Sequence, residues 1–274
     1  MPESAPLLHF EPERNMKPTV LFPIVLLLLG AEAALGQMAS PPPKSETAVA
    51  IEKALASPIR TPEERARDTP ERRPVQTLEF FGLRPDMTVV EIMPGAGWYT
   101  KILGQVLADK GKLYVFGGTS RLAPRLGEWG LDKVQVVDGK FVTRSSGQFG
   151  VFDTEAIELP LQDVDMALTF RNLHNMTPGA RAMLNKAVFG ALKPGGIYGV
   201  VDHTRRHNEP TSPENWRRID PVLIIKEALD AGFVFEAFSN LHYRPDDELR
   251  FDSQRPSIAG YTDRFTLKFR KPAR

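Results

Sequence analysis

The sequence predicts an α/β fold: a doubly wound, mostly parallel seven-stranded sheet that ends in an antiparallel strand. Three observations predict it. From residue 87 onward, short runs of β-branched and aromatic residues alternate with amphipathic helical stretches, the pattern of a parallel sheet covered on both faces. The first of these runs leads into a glycine turn, Glu91-Ile92-Met93-Pro94-Gly95-Ala96-Gly97. The last two runs have no helix between them, so they should pair antiparallel across a long loop at 239–262.

Residues 46–82 read as helical in two pieces. Val49, Ile51, Leu55 and Ala56 give the first an apolar stripe, and Pro58, Pro62, Pro70 and Pro74 interrupt the chain beyond it. Val75, Leu78, Phe80 and Phe81 make a short amphipathic helix that stops at Gly82. Thr88 to Ile92 is the first strand, and Trp98 to Leu107 is a helix with Ile102, Leu103, Val106 and Leu107 on one face. Lys112 to Phe116 is the second strand, followed by a helix-sized piece at 123–130 and a third strand over Val134 to Val137. Val164 to Phe170, the helix Arg181 to Leu192 and the strand Ile197 to Val201 come next. A helix over Pro221 to Ala231, with Val222, Leu223, Ile225 and Leu229 apolar, precedes the final strands Phe233 to Phe238 and Arg264 to Phe269.

With 274 residues and 42% hydrophobic content, one sizeable core suffices and no second domain is required. The net charge is +1 and the basic residues are scattered, which argues against nucleic acid as a partner. The absence of cysteine excludes disulfides, thiolate metal sites and cysteine nucleophiles. Near the N-terminus, Lys17 precedes an apolar run, Val20 to Leu29, and Ala31, Ala33, Ala34 and Gly36 come after it. This is the order of a secretory signal, and the run is shorter than the about 20 residues of a membrane span. Residues 1–36 are therefore expected to be a signal peptide, with Met16 a natural start. Residues 37–46, rich in proline, form a linker, and 47–274 form the folded domain. The expected location is the periplasm, without membrane association once the signal is removed. An uncleaved anchor is the alternative.

In a doubly wound sheet, ligands sit beyond the carboxyl ends of the strands where strand order reverses. Gly95 and Gly97 remove side chains where a ligand must approach closely, and the next helix aims free N–H groups at the same place. Thr100 lies in the first turn of that helix, and the Glu91 carboxylate lies at the strand end. A dinucleotide fingerprint wants a third glycine where Thr100 stands, and an acid after the second strand, where Phe116-Gly117-Gly118-Thr119 stands. Both points disfavour a nicotinamide-linked oxidoreductase. A tight strand–helix corner with no ligand is the plainer reading of the glycines.

Taken together, these residues resemble class I S-adenosylmethionine-dependent methyltransferases. Glu91 to Gly97 looks like their acid-plus-glycine motif, with Pro94 where a glycine is usual. Glu155-Ala156-Ile157-Glu158-Leu159-Pro160 is similar to their Asp-Ala-x-x-Leu-Pro element after the third strand. Asp165 to Asn175 resembles their fourth strand and its turn, and Leu192-Lys193-Pro194-Gly195-Gly196 the turn before the fifth. Val90–Thr100, Thr169–Asn175 and Val200–His203 look like a group of predicted exported bacterial methyltransferases. The resemblance spans about residues 65–272. It implies a Rossmann-like methyltransferase fold, S-adenosyl-L-methionine as cofactor and a small-molecule methyl acceptor. It also implies that Glu91, Gly95 and Gly97 surround the methionine part of the cofactor, with Pro94, Ala96, Tyr99 and Thr100 completing the pocket. Glu155 would accept a hydrogen bond from the adenine amino group. The chain departs from the family at Gly117-Gly118, where an acid usually binds the ribose. That departure, with export, motivates the alternative of a non-catalytic ligand-binding protein on the same fold.

Methyl transfer depends chiefly on positioning, and an oxygen or nitrogen nucleophile also calls for a base. Asn172, His174 and Asn175 come after the fourth strand, and Asp202 and His203 after the fifth, all on the ligand side. His174 is the leading acid/base candidate because histidine titrates near neutrality; a hydrogen bond within the turn is the plainer role. Asp202 and His203 orient substrate or couple as a pair, or else anchor the strand end. Asn172 completes the candidate catalytic set. His174, Asp202, His203 and His207 are suitable metal-ligand types, but their spacing resembles no known site, so no metal is expected. Trp98 and Tyr99 line the pocket or pack the helix. Arg205, Arg206 and residues 208–218 form a loop over the site.

Overall fold

The computed structural model describes residues 43–273. The expected signal peptide, and the linker as far as residue 42, lie outside the described residues. Nine strands are present among the described residues: β1 (Thr88–Ile92), β2 (Lys112–Phe116), β3 (Gln135–Val136), β4 (Lys140–Ser145), β5 (Phe152–Glu158), β6 (Val164–Phe170), β7 (Leu192–His203), β8 (Val234–Ser239) and β9 (Arg264–Arg270). Seven of them form one sheet in the order β3-β2-β1-β6-β7-β9-β8. β3, β2, β1, β6 and β7 run parallel, and β9 lies antiparallel between β7 and β8. This is the expected α/β, doubly wound sheet with its antiparallel strand.

The chain leaves β1 toward β2 and β3, then returns to β6 on the other side of β1. Strand order therefore reverses between β1 and β6, where Ile92 pairs with Thr169. On the next pair, Phe170 lies beside Val201, and His203 lies beside Arg264. These registers bring the ends of β1, β6 and β7 and the start of β9 to one edge.

The helices cover both faces. α1 (Glu46–Ala56), α3 (Pro74–Phe81) and α4 (Thr100–Val106) pack on one face over Val89, Val115, Met166, Leu168 and Val201. α6 (Pro178–Ala191) and α7 (Pro221–Asp230) pack on the other over Val90, Ala167, Tyr198, Val200 and Phe269. Local chemistry starts these helices where it should. The Thr177 hydroxyl accepts from Ala180 N ahead of Pro178, and the Asp220 carboxylate accepts from Val222 N ahead of Pro221. α2 (Pro62–Ala66) opens with a reciprocal capping box between Thr61 and Glu64, and a π turn (Asp68–Arg72) comes after it.

Several elements differ from expectation. The stripe of α1 is rotated: Thr47, Ala48, Ile51 and Ala54 are buried, whereas Val49 and Ala56 are exposed. α7 buries Ile224 and Ala228 and leaves Val222 and Leu229 half exposed. The piece at 123–130 contracts to α5 (Arg125–Glu128), and the third strand keeps only two residues. β7 starts at Leu192, five residues before the expected strand. The largest correction concerns 140–158, where β4 and β5 form a separate antiparallel hairpin. Glu155 lies in its second strand with an exposed side chain, rather than in a loop following β3.

Candidate functional site

The glycine turn leaves β1 at the point of strand reversal. Met93 takes a left-handed conformation (φ 50°), as do Gly95 (φ 59°) and Gly97 (φ 82°). The two glycines are needed for different reasons. A Cβ on Gly97 would fall 2.7 Å from Leu122 and 2.9 Å from Trp129, so that glycine is demanded by packing beneath the turn. A Cβ on Gly95 would meet nothing within 4 Å. Gly95 and Ala96 are exposed, and their N–H groups take no partner among the described residues. Here the turn offers an open cradle. Pro94 is buried and its carbonyl accepts from Gly97 N at 3.0 Å, closing the turn.

Glu91 is buried, and its carboxylate accepts from the Thr100 hydroxyl at 2.6 Å. This bond ties the end of β1 to the start of α4. Burial pushes the Glu91 carboxyl up to about 8, and the Thr100 bond and the Arg72 charge only partly oppose it. Asn172 braces the same turn from β6: its amide nitrogen donates to Ile92 O (3.2 Å), Met93 O (3.1 Å) and Thr169 Oγ1 (3.0 Å). Tyr99 is buried and stacks on Phe170, with ring centroids 3.6 Å apart and planes 10° from parallel.

Across the edge, His174 and Asp202 meet. The Asp202 carboxylate accepts from His174 Nδ1 at 2.6 Å, from the His174 backbone N at 3.2 Å and from the His203 backbone N at 2.7 Å. With Nδ1 engaged, Nε2 is the ring nitrogen left for a ligand. His174 lines a cleft of about 310 Å³ with Thr177, Arg205, Trp216 and Leu223, between the hairpin and the loop at 205–219. The expected coupling of Asp202 to His203 takes another form: Asp202 serves His174, and His203 Nδ1 meets Thr262 Oγ1 at 2.9 Å. Burial and the neighbouring Arg264 hold His203 well below its ordinary value, so it stays neutral. His207 pairs with Asp220 at 2.9 Å, apart from His174 and Asp202. Among the described residues, no group of three His, Asp or Glu side chains gathers as a metal site would require.

At the end of β2, Gly117 and Gly118 are both left-handed. Phe141 of the hairpin packs edge-on against Phe116, and a Cβ on Gly117 would lie 3.0 Å from its ring. An aromatic ring thus stands where the resemblance calls for an acid, and Glu155 projects outward from the same hairpin.

No known protein family and no curated protein matches this chain by sequence. Solved structures do. A SAM-dependent methyltransferase from Aquifex aeolicus gives a TM-score of 0.54 at 18% identity, with 82% of this chain and 98% of that one covered. The [4+2]-cyclase SpnF gives 0.51 at 18% identity, with 77% and 81% covered. These likenesses show the fold: this chain has the Rossmann-like sheet of the methyltransferases. The second neighbour also shows that the fold carries more than one chemistry.

Some residues at this edge escaped the sequence reading. Arg72, Arg171 and Arg264 line one pocket with Tyr99 and Phe170. The one signal in the sequence is the place of Arg171, directly after the apolar run of β6. Phe141 carried no signal, because its strand lies outside the main sheet.

Proposed function

We propose that this chain is an S-adenosylmethionine-dependent methyltransferase that acts on a small-molecule acceptor and works outside the cytoplasm. The observation that carries the reading is the open cradle at Gly95, set at the strand reversal beside the His174–Asp202 pair. The residues present fit the cofactor at its methionine end. Gly95 has room where a Cβ would point, and the N–H groups of Gly95 and Ala96 are free to donate. At the adenosine end, the chain offers the Gly117-Gly118 backbone and the Phe141 ring in place of a carboxylate.

When bound, the cofactor supplies an electrophilic methyl group. The chain's own residues do the rest. Asp202 holds His174 with Nδ1–H toward the carboxylate, which leaves Nε2 to take a proton from an acceptor hydroxyl or amine. Asn172 and the Glu91–Thr100 bond fix the turn against β6 and α4. Trp216 and Leu223 give the cleft an apolar wall against which an acceptor can pack. Calorimetry with S-adenosylhomocysteine tests the reading: saturable binding is expected, and silence at about millimolar ligand, a very weak affinity, would refute it.

Export is read from Lys17, Val20 to Leu29 and the small residues at 31–36. Cell fractionation of the full chain beside a chain lacking residues 1–36 tests it; equal retention in the cytoplasm would count against export.

A second reading is a ligand-binding protein without catalysis. The Phe141 ring over Gly117 favours it. Methyl transfer to any acceptor, lost on Gly95→Ala, would exclude it.

A further inference from the structure

Three arginines from distant parts of the chain meet at one narrow cleft of about 10 Å³, room for about one water molecule or one oxygen of an oxyanion. Arg72 ends the π turn, Arg171 directly succeeds β6, and Arg264 opens β9. All three sit on the face covered by α3 and α4, and Tyr99 and Phe170 wall the pocket with their stacked rings. Each arginine has an Nε–H that is buried and without a hydrogen-bond partner.

Gathering these charges is unfavourable. Burial, then the nearby Arg171, push Arg72 down to about 8. Burial and the same Arg171 bring Arg264 down to about 10, and burial lowers Arg171 itself. The acid at the pocket, Glu71, is shared: its Oε2 lies 3.4 Å from Arg67 and 3.8 Å from Arg264. Among the described residues, Arg72 and Arg171 take part in no ion pair. The Nδ1 of the neighbouring His242 meets Thr266, and burial holds its pKa down to about 4, so it adds no charge near neutrality. Buried like charges with unused donors are costly unless an anion joins them. Guanidinium groups are also the side chains best shaped to grip an oxyanion.

The position says whose anion it is. The pocket stands over β6, β7 and β9, on the far side of β1 from β2. On the reading proposed above, the cofactor's nucleoside lies toward β2, so this end belongs to the other substrate. We propose that Arg72, Arg171 and Arg264 form a receptor for a carboxylate-class oxyanion on the methyl acceptor, so that the enzyme acts on small organic acids.

The test reads the arginine Nε–H signals of the ¹⁵N-labelled full chain by NMR, with benzoate, its neutral counterpart benzamide, and S-adenosylhomocysteine as probes. Saturable shifts of the three signals with benzoate and none with benzamide are expected. Arg171→Gln should weaken benzoate binding about tenfold, the loss of one charge-assisted hydrogen bond, and Arg171→Lys should restore part of it. S-adenosylhomocysteine affinity should not change in either variant. Unmoved Nε signals with benzoate, or benzoate binding indifferent to Arg171→Gln, would overturn the proposal. So would a loss of S-adenosylhomocysteine affinity in Arg171→Gln, which would assign the anion to the cofactor's own carboxylate. Benzoate binding without any S-adenosylhomocysteine binding would leave the anion receptor standing and remove the methyltransferase reading on which its acceptor role depends.

Discussion

Glu91 offers the most direct test of how the turn is built. Its carboxyl is buried beneath the cradle, and burial raises it from 4.5 to about 8. At about 1.4 kcal/mol per pH unit, this is about 5 kcal/mol between the two protonation states. The folded-state value lies above the unfolded one, so between pH 4.5 and 8 the folded chain binds more protons than the unfolded chain. The stabilisation is fully present below about pH 4.5 and is lost as pH rises through about 8. Glu91→Gln keeps the shape and a hydrogen-bond partner for Thr100, and removes the titration. The stability of wild type relative to Glu91→Gln should therefore fall by about 2.5 kcal/mol from about pH 5 to about pH 7. Urea unfolding at several pH values in that range measures the difference. Taking the difference between variants cancels the buried histidines, and Arg72 enters only near pH 8. Parallel curves would refute the reasoning, because they would mean that Glu91 is ionised in the fold and held by a cation.

The remaining predictions concern the same edge. Gly97→Ala should cost about 2–4 kcal/mol in urea unfolding, since its Cβ strikes Leu122 and Trp129 and its φ is 82°. Gly95→Ala should cost only about 1 kcal/mol of backbone strain, yet it should weaken S-adenosylhomocysteine binding in calorimetry by more than Gly97→Ala does per unit of stability lost. His174→Gln should reduce methyl transfer by about 10²–10⁴-fold with cofactor affinity unchanged, and Asp202→Asn should do likewise, because Asn holds Nδ1 of the ring less well; a matching loss of cofactor affinity would show a merely structural role. Arg218→Met should destabilise the chain by about 3–5 kcal/mol in urea, because Arg218 donates to Asp247 (2.9 Å), Phe251 O and Thr204 O, and its loss strands a buried carboxylate.

Burial decides which elements are legible in the sequence. β1, β2, β6 and β7 are covered on both faces, so each reads as an apolar run, and the absence of a helix after 239 announced the antiparallel pair. The hairpin gave no such sign. Along β4, five of six residues are exposed and the run Lys-Phe-Val-Thr-Arg-Ser has no buried face to set a period. Likeness to a motif sets Glu155 after the third strand, whereas the fold sets it on the exposed face of the hairpin. In α1 the difference is narrower: apolarity marks Val49, but Thr47 and Ala54 face the core and Val49 faces outward.

The site divides along the same line. That His174 has a partner was recoverable in principle. His174 and Asp202 both lie at the ends of strands that the sequence marks as neighbours, and once Phe170 is set beside Val201, their side chains fall within reach. The arginines were not recoverable in this way. Arg72 lies before the first strand and Arg264 opens a strand that is inserted between β7 and β8. A composition near neutrality with scattered basic residues describes charge, not desolvation. Only the placing of β9 against β7, with Arg264 opposite His203, takes Arg264 out of water and sets it with Arg171. A charge that reads as solvated in the sequence is therefore the one whose role the fold decides, and at this edge the fold gathers three.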